Sequence, residues 1–293
     1  MKNKLAALAK KLDMPLEEVR RAVYHIERKL AQKAVRRNGK FLTKSEDRLE
    51  AVILRLFPKQ QKYIIESIRD LSAFREKTIV IETKLLEAEI REMLTLMPGQ
   101  VEIADAIAAT AKTVMLKGGR NAISQYALGS VGISFNLRNE RAIEYLKSKR
   151  ELMLSDRKGS INKTTKDRLL EIIRDGVNNR KTYGQIAQQI EALSSEGIFS
   201  AARAQTIAVR EVGQAYEFGN YIPVTEFAQR TGKRVNKYWQ TVGDERVTVE
   251  CHENESRSLQ GIPLNVPFAS GDMIAPRSTN PKCRCSTGYE VVT

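Results

Sequence analysis

Apolar residues recur at intervals of three and four over most of the chain, a spacing that places them on one face of an α-helix. In the first half these faces are interrupted by residues that commonly end helices, namely Asn38-Gly39, Pro58, Met97-Pro98-Gly99 and Gly118-Gly119. The predicted helices cover residues 3–36 as a pair, 43–57, 60–97, 101–117 and 139–150. The first half of the chain is therefore expected to be almost wholly helical.

The pattern changes in the second half. Residues 129–136 are expected to be an extended or turn segment and residues 155–163 a linker, since both contain glycine and lack helical spacing. The predicted helices here cover residues 164–176, 182–193 and 201–229. We expect Pro223 to kink or divide the last of them. Beyond Arg234, β-branched and aromatic residues predict strands. These strands cover residues 235–242 and 285–292, with a proline-rich loop between them.

These patterns predict a mainly α N-terminal region and a small α+β C-terminal domain. We divide the chain into a basic helical region (1–154), a second helical part (155–233), and a small α+β end with a proline-rich loop and a Cys-Arg-Cys terminus (234–293). Aromatic residues make up 6% of the chain, which favours helix over sheet. Trp239, the only tryptophan, lies in a predicted strand, and we expect it to be part of the core.

Composition excludes several classes of protein. The 293 residues are 42% hydrophobic and 29% charged, which is typical of a globular protein. No run of about 18 apolar residues is present, so no membrane span is expected. Lys10, Lys11 and Asp13 interrupt any signal-peptide core. Three cysteines are too few for a disulfide scaffold. We therefore expect a soluble protein that is made in the cytosol.

The net charge of +14 is concentrated in one part of the chain. Residues 1–199 carry 38 basic and 25 acidic residues, whereas residues 201–293 carry 11 and 10. This excess favours an acidic partner, and we predict non-specific DNA binding through phosphate contacts. The predicted nucleic-acid-binding residues are Arg20, Arg21, Arg36 and Arg37. The alternative is that these bases keep helix faces solvated or pair with acids such as Glu17 and Glu27.

A group of thiols and one histidine lies near the C-terminus. Cys283 and Cys285 are two residues apart, so on a strand both side chains point to one face. These residue types are common ligands of Zn²⁺, and we predict a zinc site formed by His252, Cys283 and Cys285. Asp244 or water would be the fourth ligand. Cys251 is left out, because neighbours on a strand face opposite ways. The alternative is two buried structural thiols and one hydrogen-bonded histidine.

Catalytic motifs match the chain poorly. A zinc deaminase needs His-x-Glu and Pro-Cys-x-x-Cys. The chain has His252-Glu253-Asn254-Glu255 and Pro281-Lys282-Cys283-Arg284-Cys285, so both spacings differ by one residue. No phosphate-binding loop of the Walker type is present. The first two predicted helices have the spacing of a helix-turn-helix, an arrangement that also occurs in ordinary helical bundles. We expect no enzymatic activity.

Several motifs of the C-terminal half occur in an order that resembles one protein family. They are the helical pair of residues 161–193, Ala204 to Ala215, Tyr238-Trp239-Gln240-Thr241, Asp244-Glu245-Arg246-Val247, His252, Gly261, Pro267-Phe268, Gly271, Pro276 and Cys283-Arg284-Cys285. Over about residues 130–293 the chain is similar to the phage Mu F-like head morphogenesis proteins, the minor capsid proteins of tailed phages. It departs from the family at Ile207-Ala208-Val209-Arg210-Glu211, where relatives read like IARTE, and at the additional Cys251.

The resemblance implies a protein present in few copies in the procapsid or virion, which acts at the portal vertex. It implies contacts with the portal protein, with capsid or scaffold proteins and with DNA, and a role in DNA packaging or ejection. The expected location is the phage head, after assembly in the host cytoplasm. One alternative is a zinc-dependent enzyme or toxin-like domain that uses His252, Cys283 and Cys285. Another is a host DNA-binding regulator that uses the first two helices.

Overall fold

The computed structural model describes residues 10–11, 13–75, 91–155, 160–179, 181, 183–192, 197–245, 247–276, 280 and 283–292. Within these ranges, the backbone alone is described for residues 16–18, 20–38, 71–75, 177 and 183. The helices are α1 (Leu16–Arg75), α2 (Gln100–Gln125), α3 (Glu140–Leu154), α4 (Ile161–Asn178), α5 (Tyr183–Ala192), α6 (Ala201–Thr231) and α7 (Val249–Arg257). The strands are β1 (Arg234–Gln240), β2 (Ile262–Pro263) and β3 (Ser286–Val292). The predicted fold class, mainly α with a small α+β end, is confirmed.

Two prolines lie inside helices that they were expected to interrupt. Helix α1 passes both Asn38-Gly39 and Pro58, so the helix ends predicted there were wrong. Helix α6 is continuous through Pro223, so the predicted division is wrong, whereas the predicted kink stays a prediction. Pro58 is on the exposed side of α1, where the hydrogen bond that it cannot make is lost next to solvent. The buried face of α1 continues on both sides of it, through Leu49, Ile53, Leu56, Phe57, Ile64 and Ile68. Tertiary packing of this face outweighs the local preference of the proline.

Helix α2 continues through Gly118-Gly119, although a helix end was predicted there. A Cβ at Gly118 would lie 2.2 Å from the carbonyl oxygen of Tyr216 in α6. A Cβ at Gly219 of α6 would lie 2.2 Å from the carbonyl oxygen of Met115. The two helix backbones therefore touch where they cross, and glycine is present because only it permits that approach.

Replacing Gly118 with alanine is expected to lower the free energy of unfolding by about 1–3 kcal/mol, because the new methyl group overlaps a backbone oxygen. Gly39→Ala is the matched control, since that helical position has no atom within 4 Å of an added Cβ. There the substitution should raise stability by about 0.5–1 kcal/mol. Thermal unfolding followed by circular dichroism measures both, and equal tolerance of the two substitutions would contradict the close crossing.

Both predicted strands are present in a three-stranded antiparallel sheet of order β2-β1-β3. In the register of β1 and β3, Lys237 lies opposite Tyr289 and Trp239 lies opposite Thr287. Val235, Lys237 and Trp239 alternate along β1 and are all buried on one face. Helix α7 and the short strand β2, which lie between the two predicted strands, were not predicted.

The chain divides into two compact units, each assembled from separate stretches. The first contains Met1–Ser45, Lys112–Ala142 and Val209–Thr293, and the second contains Glu46–Ala111 and Ile143–Ala208. One apolar core of the first unit consists of Ala122, Leu128, Ile133, Val224, Phe227, Val235, Leu264 and Tyr289. The segment boundaries predicted at residues 154 and 233 stay predictions. No described helix is long and apolar enough to cross a membrane.

Candidate metal centre

Helix α7 has one buried and one exposed face. Glu250 lies in its first turn and Arg257 in its last, positions at which these charges interact favourably with the helix dipole. Cys251, Asn254 and Ser258 recur at helical spacing and are buried, at 1% relative exposure each. This helix therefore presents one thiol and two polar groups to the interior.

Three thiols meet beside this buried face. Cys251 comes from α7, whereas Cys283 and Cys285 come from the segment that leads into β3. The three sulfur atoms all lie within 4.8 Å of one another. The Sγ atoms of Cys251 and Cys283 are 3.7 Å apart. All three cysteines are buried thiols outside any disulfide, so they form a compact set of sulfur donors, here called the thiol cluster.

The surroundings of the thiol cluster favour neutral thiols. Hydrogen bonding with Cys283, together with burial, raises the pKa of the Cys285 thiol. Burial also raises the pKa of the Cys251 thiol. Negative charge is costly here because apolar groups and other thiols surround each sulfur atom. A cation that binds the cluster must displace thiol protons, and its own charge then compensates the thiolates.

Trp239 forms one wall of the thiol cluster. It is fully buried, as expected for a core residue, and its ring meets the ring of Phe268 edge to face with centroids 5.0 Å apart. The indole N–H has no partner of ordinary hydrogen-bond geometry in the described part of the chain. The indole N–H nevertheless lies close enough to the Cys285 sulfur to lower the pKa of that thiol. This effect is smaller than the increase in pKa that Cys283 and burial cause.

The proline-rich loop is tied to α7 and β1 by side chains. Asn254 donates from Nδ2 to Ser270 Oγ at 2.9 Å and accepts the Ser270 backbone N–H at 2.9 Å. Lys237 donates from Nζ to the Met273 carbonyl at 2.6 Å and lies over the Phe268 ring, 4.7 Å from its centroid. Burial lowers the pKa of Lys237 to about 8. The loop is therefore fixed by hydrogen bonds at two points besides the thiols.

His252 lies away from the thiol cluster. It is exposed, about 100° around the axis of α7 from the buried Cys251. Within the described residues, the metal-ligand group consists of the three cysteines, and neither His252 nor Asp244 belongs to it. Cys283 and Cys285 come together as predicted, but Cys251 occupies the place expected for His252. The reason is that residues 249–257 are helical, and helical spacing places Cys251 on one buried face with Asn254 and Ser258.

The predicted nucleic-acid-binding residues Arg20, Arg21, Arg36 and Arg37 lie in α1, and their side chains are outside the described residues. Further along α1, Arg48, Arg55 and Lys59 are exposed and spaced by seven and four residues, which places them on one side of the helix. In the described ranges none of these three bases forms an ion pair. We call them the basic face of α1.

A buried carboxyl that sequence reasoning missed lies on α6. Glu217 accepts the backbone N–H of Thr287 at Oε2, 3.2 Å away, and the Tyr126 hydroxyl accepts the backbone N–H of Tyr289 at 3.3 Å. Both N–H groups lie on the side of β3 away from β1. The side chains of Glu217 and Tyr126 therefore occupy hydrogen-bonding positions along the outer edge of β3. Burial raises the pKa of Glu217 to about 8, which leaves this carboxyl mostly protonated at neutral pH.

The structure is thus of the mainly helical class with a small antiparallel sheet, and it holds a loop next to three buried thiols. Residues 167–288 match the family described as Phage Mu protein F like protein. The match confirms the resemblance inferred from the sequence and lies inside the expected range of residues 130–293. Over residues 167–288 the chain is therefore similar to the Mu F-like proteins of phages. No curated protein and no solved structure matches the chain.

Proposed function

We propose that the protein is a minor component of the phage head that acts in head morphogenesis at the portal vertex. It contacts the portal protein and capsid or scaffold proteins in the host cytoplasm during assembly, and it assists DNA packaging or ejection. The observation that carries this proposal is the family match over residues 167–288. The excess of basic residues in 1–199 supports the contact with DNA.

Mass spectrometry of purified procapsids and virions tests the role in the head. The protein should be present in both kinds of particle, in few copies relative to the major capsid protein. Particles assembled without the portal protein are the control, and they should lack this protein if it enters at the portal vertex. Its absence from procapsids and virions alike would contradict the proposal.

The basic face of α1 supports phosphate contacts without base recognition. Arg48, Arg55 and Lys59 extend over about 16 Å of helix, at 1.5 Å per residue. Other bases of the second unit are partly neutralised by acids within hydrogen-bond or ion-pair distance. These bases are Arg150, Lys163 and Lys181, paired with Asp105, Asp167 and Asp175. Exposed bases without such partners are better placed to meet a polyanion.

Replacing Arg48, Arg55 and Lys59 together with alanine should weaken the binding of double-stranded DNA of arbitrary sequence. If each base neutralises one phosphate, the slope of log K against log salt should become less steep by about 2.7. A filter-binding titration of the full chain at several salt concentrations measures both effects. Replacing Arg20, Arg21, Arg36 and Arg37 is a second variant, which tests the side chains predicted from the sequence.

The matched control is a triple alanine variant at Arg150, Lys163 and Lys181. It removes the same number of positive charges, but each of these bases already has an acidic partner. It should change DNA affinity less than the variant of the basic face does. An equal loss in both variants would assign the effect to net charge alone, and binding insensitive to salt would contradict phosphate contacts.

We propose that the protein has no catalytic activity of its own. The enzyme alternative needs His252 next to Cys283 and Cys285, whereas His252 is exposed and does not belong to the thiol cluster. Glu253, which a deaminase-like reaction would use to transfer protons, is 2.7 Å from Arg257 between Oε1 and Nη2. A carboxylate in a surface ion pair is a poor proton carrier for chemistry at buried thiols.

We propose that the thiol cluster binds Zn²⁺ in a structural role. Cys283 and Cys285 belong to the segment between the proline-rich loop and β3, and a bound ion would hold this segment in place. Buried sulfur donors suit Zn²⁺, which is commonly held by cysteine in structural sites. The site would thus strengthen a region with few regular elements.

A further inference from the structure

The sulfur atoms of the thiol cluster are spaced like ligands of a single ion. Tetrahedral coordination with Zn–S bonds of about 2.3 Å places two sulfur ligands about 3.8 Å apart. The Sγ atoms of Cys251 and Cys283 are 3.7 Å apart, and all three sulfur atoms lie within 4.8 Å of one another. One ion could therefore reach all three after small side-chain adjustments. It would join α7 to a segment 32 residues further along the chain.

The indole N–H of Trp239 is a second observation that points to a charged sulfur ligand. Trp239 is fully buried, and its N–H lacks an ordinary acceptor among the described residues. A neutral thiol is a weak acceptor, whereas a thiolate is a strong one. Metal coordination would convert Cys285 into the acceptor that this buried donor lacks. Partners of this kind orient metal ligands and stabilise their charge.

The chemistry of the donor set restricts the ion. Within the part of the chain that the structure describes, the group contains sulfur donors and no carboxylate or imidazole. Its surroundings are apolar, with Trp239, Phe268 and Ala275 packed against the three cysteines. Thiolates bind Zn²⁺, Cd²⁺ and Cu⁺ well, whereas Mg²⁺ and Ca²⁺ require oxygen ligands.

We propose that Cys251, Cys283 and Cys285 form a three-thiolate site for a thiophilic metal ion. Trp239 is a positioning residue that donates its indole N–H to Cys285. The inference rests on the zinc site proposed above and adds the charge state of its ligands, the class of ion that it accepts and its hydrogen-bond donor. Each coordinating thiol releases its proton to solvent, and a water molecule completes the coordination of a tetrahedral ion.

A metal titration of the full-length chain tests this site. The reduced, chelator-treated protein is titrated with Co²⁺ and, separately, with Cd²⁺. We expect one ion per chain and an absorption band from sulfur-to-metal charge transfer, whose intensity increases with the number of thiolates bound. Trp239 is the only tryptophan and lies next to the site, so its fluorescence should change in proportion to ion bound.

Adjacent residues of α7 supply a matched pair of variants. Cys251→Ser should weaken Cd²⁺ binding at least tenfold and reduce the charge-transfer band. His252→Ala should leave both unchanged, because His252 is exposed and lies outside the thiol cluster. Trp239→Phe keeps an aromatic ring but removes the N–H, and it should weaken the affinity about 10–100-fold while the band persists.

Several results would overturn the inference: no binding of either ion, loss of binding in His252→Ala, or unchanged affinity in Trp239→Phe. Should the Cys251→Ser variant fail to fold, alkylation of the parent chain provides the same information. Cd²⁺ should protect all three cysteines from iodoacetamide, and equal labelling of Cys251 with and without Cd²⁺ would refute its role as a ligand. These measurements do not depend on phage particles, so the metal site and the role in the head can fail separately.

Discussion

Replacing Trp239 with alanine is expected to lower the free energy of unfolding by about 3–5 kcal/mol, the usual cost of removing a large buried aromatic ring. The side chain is fully buried and makes edge-to-face contact with Phe268. Its loss would leave a cavity next to the thiol cluster. Because the variant lacks the only tryptophan, unfolding must be followed by circular dichroism or calorimetry rather than by fluorescence.

Val249→Ala is the control for this substitution. Val249 is also apolar and lies near the thiol cluster in sequence, but 80% of its surface is exposed. Its replacement should change stability by less than about 0.5 kcal/mol. A loss for Trp239→Ala as small as that of the control would show that the ring is not part of a packed core.

Glu217→Gln is expected to reduce the pH dependence of stability between about pH 4.5 and pH 8. The ordinary pKa of this carboxyl is 4.5, and burial raises it to about 8 in the folded protein. Between these values the unfolded chain releases a proton that the folded protein keeps, so stability falls as pH rises. The maximum slope is about 1.4 kcal/mol per pH unit, and glutamine, which does not titrate, removes this contribution.

Thermal unfolding of parent and variant at several pH values measures this difference. The variant should gain stability relative to the parent as pH rises to about 8, after which the difference should be constant. Glutamine can still accept the Thr287 N–H, so the structural contact is kept. Glu144→Gln, at an exposed position of α3, is the control and should show little change in slope. A parallel pair of curves for Glu217→Gln and the parent would exclude the proposed effect of burial.

Periodicity predicted most of the helices and both long strands, because burial of one face leaves a direct mark on the sequence. Helix ends were less predictable. Pro58 and Gly118 both carry local signals for a break, yet each lies inside a helix. Their outcome depends on contacts with distant residues, such as the approach of Tyr216 to Gly118, and single-residue preferences do not contain that information.

The candidate site was predictable in part for the same reason. Cys283 and Cys285 share a side because they are two residues apart in an extended segment, which the sequence shows. Choosing between Cys251 and His252 required knowing that residues 249–257 are helical, and this short polar helix has a weak apolar pattern. The sequence contains one indication that Glu217 is buried, because it is an acidic residue within an apolar stretch of α6. Nothing in the sequence indicates that it accepts a hydrogen bond from β3.

Both edges of the small sheet are partly obstructed for a further strand. On one side, Glu217 and Tyr126 occupy the outward N–H groups of Thr287 and Tyr289. On the other side, β2 is two residues long and ends in Pro263, which has no N–H to donate. Within the part of the chain that the structure describes, this sheet therefore offers little open edge to which a second copy could add a strand. A sheet obstructed in this way favours recognition through side chains over strand exchange.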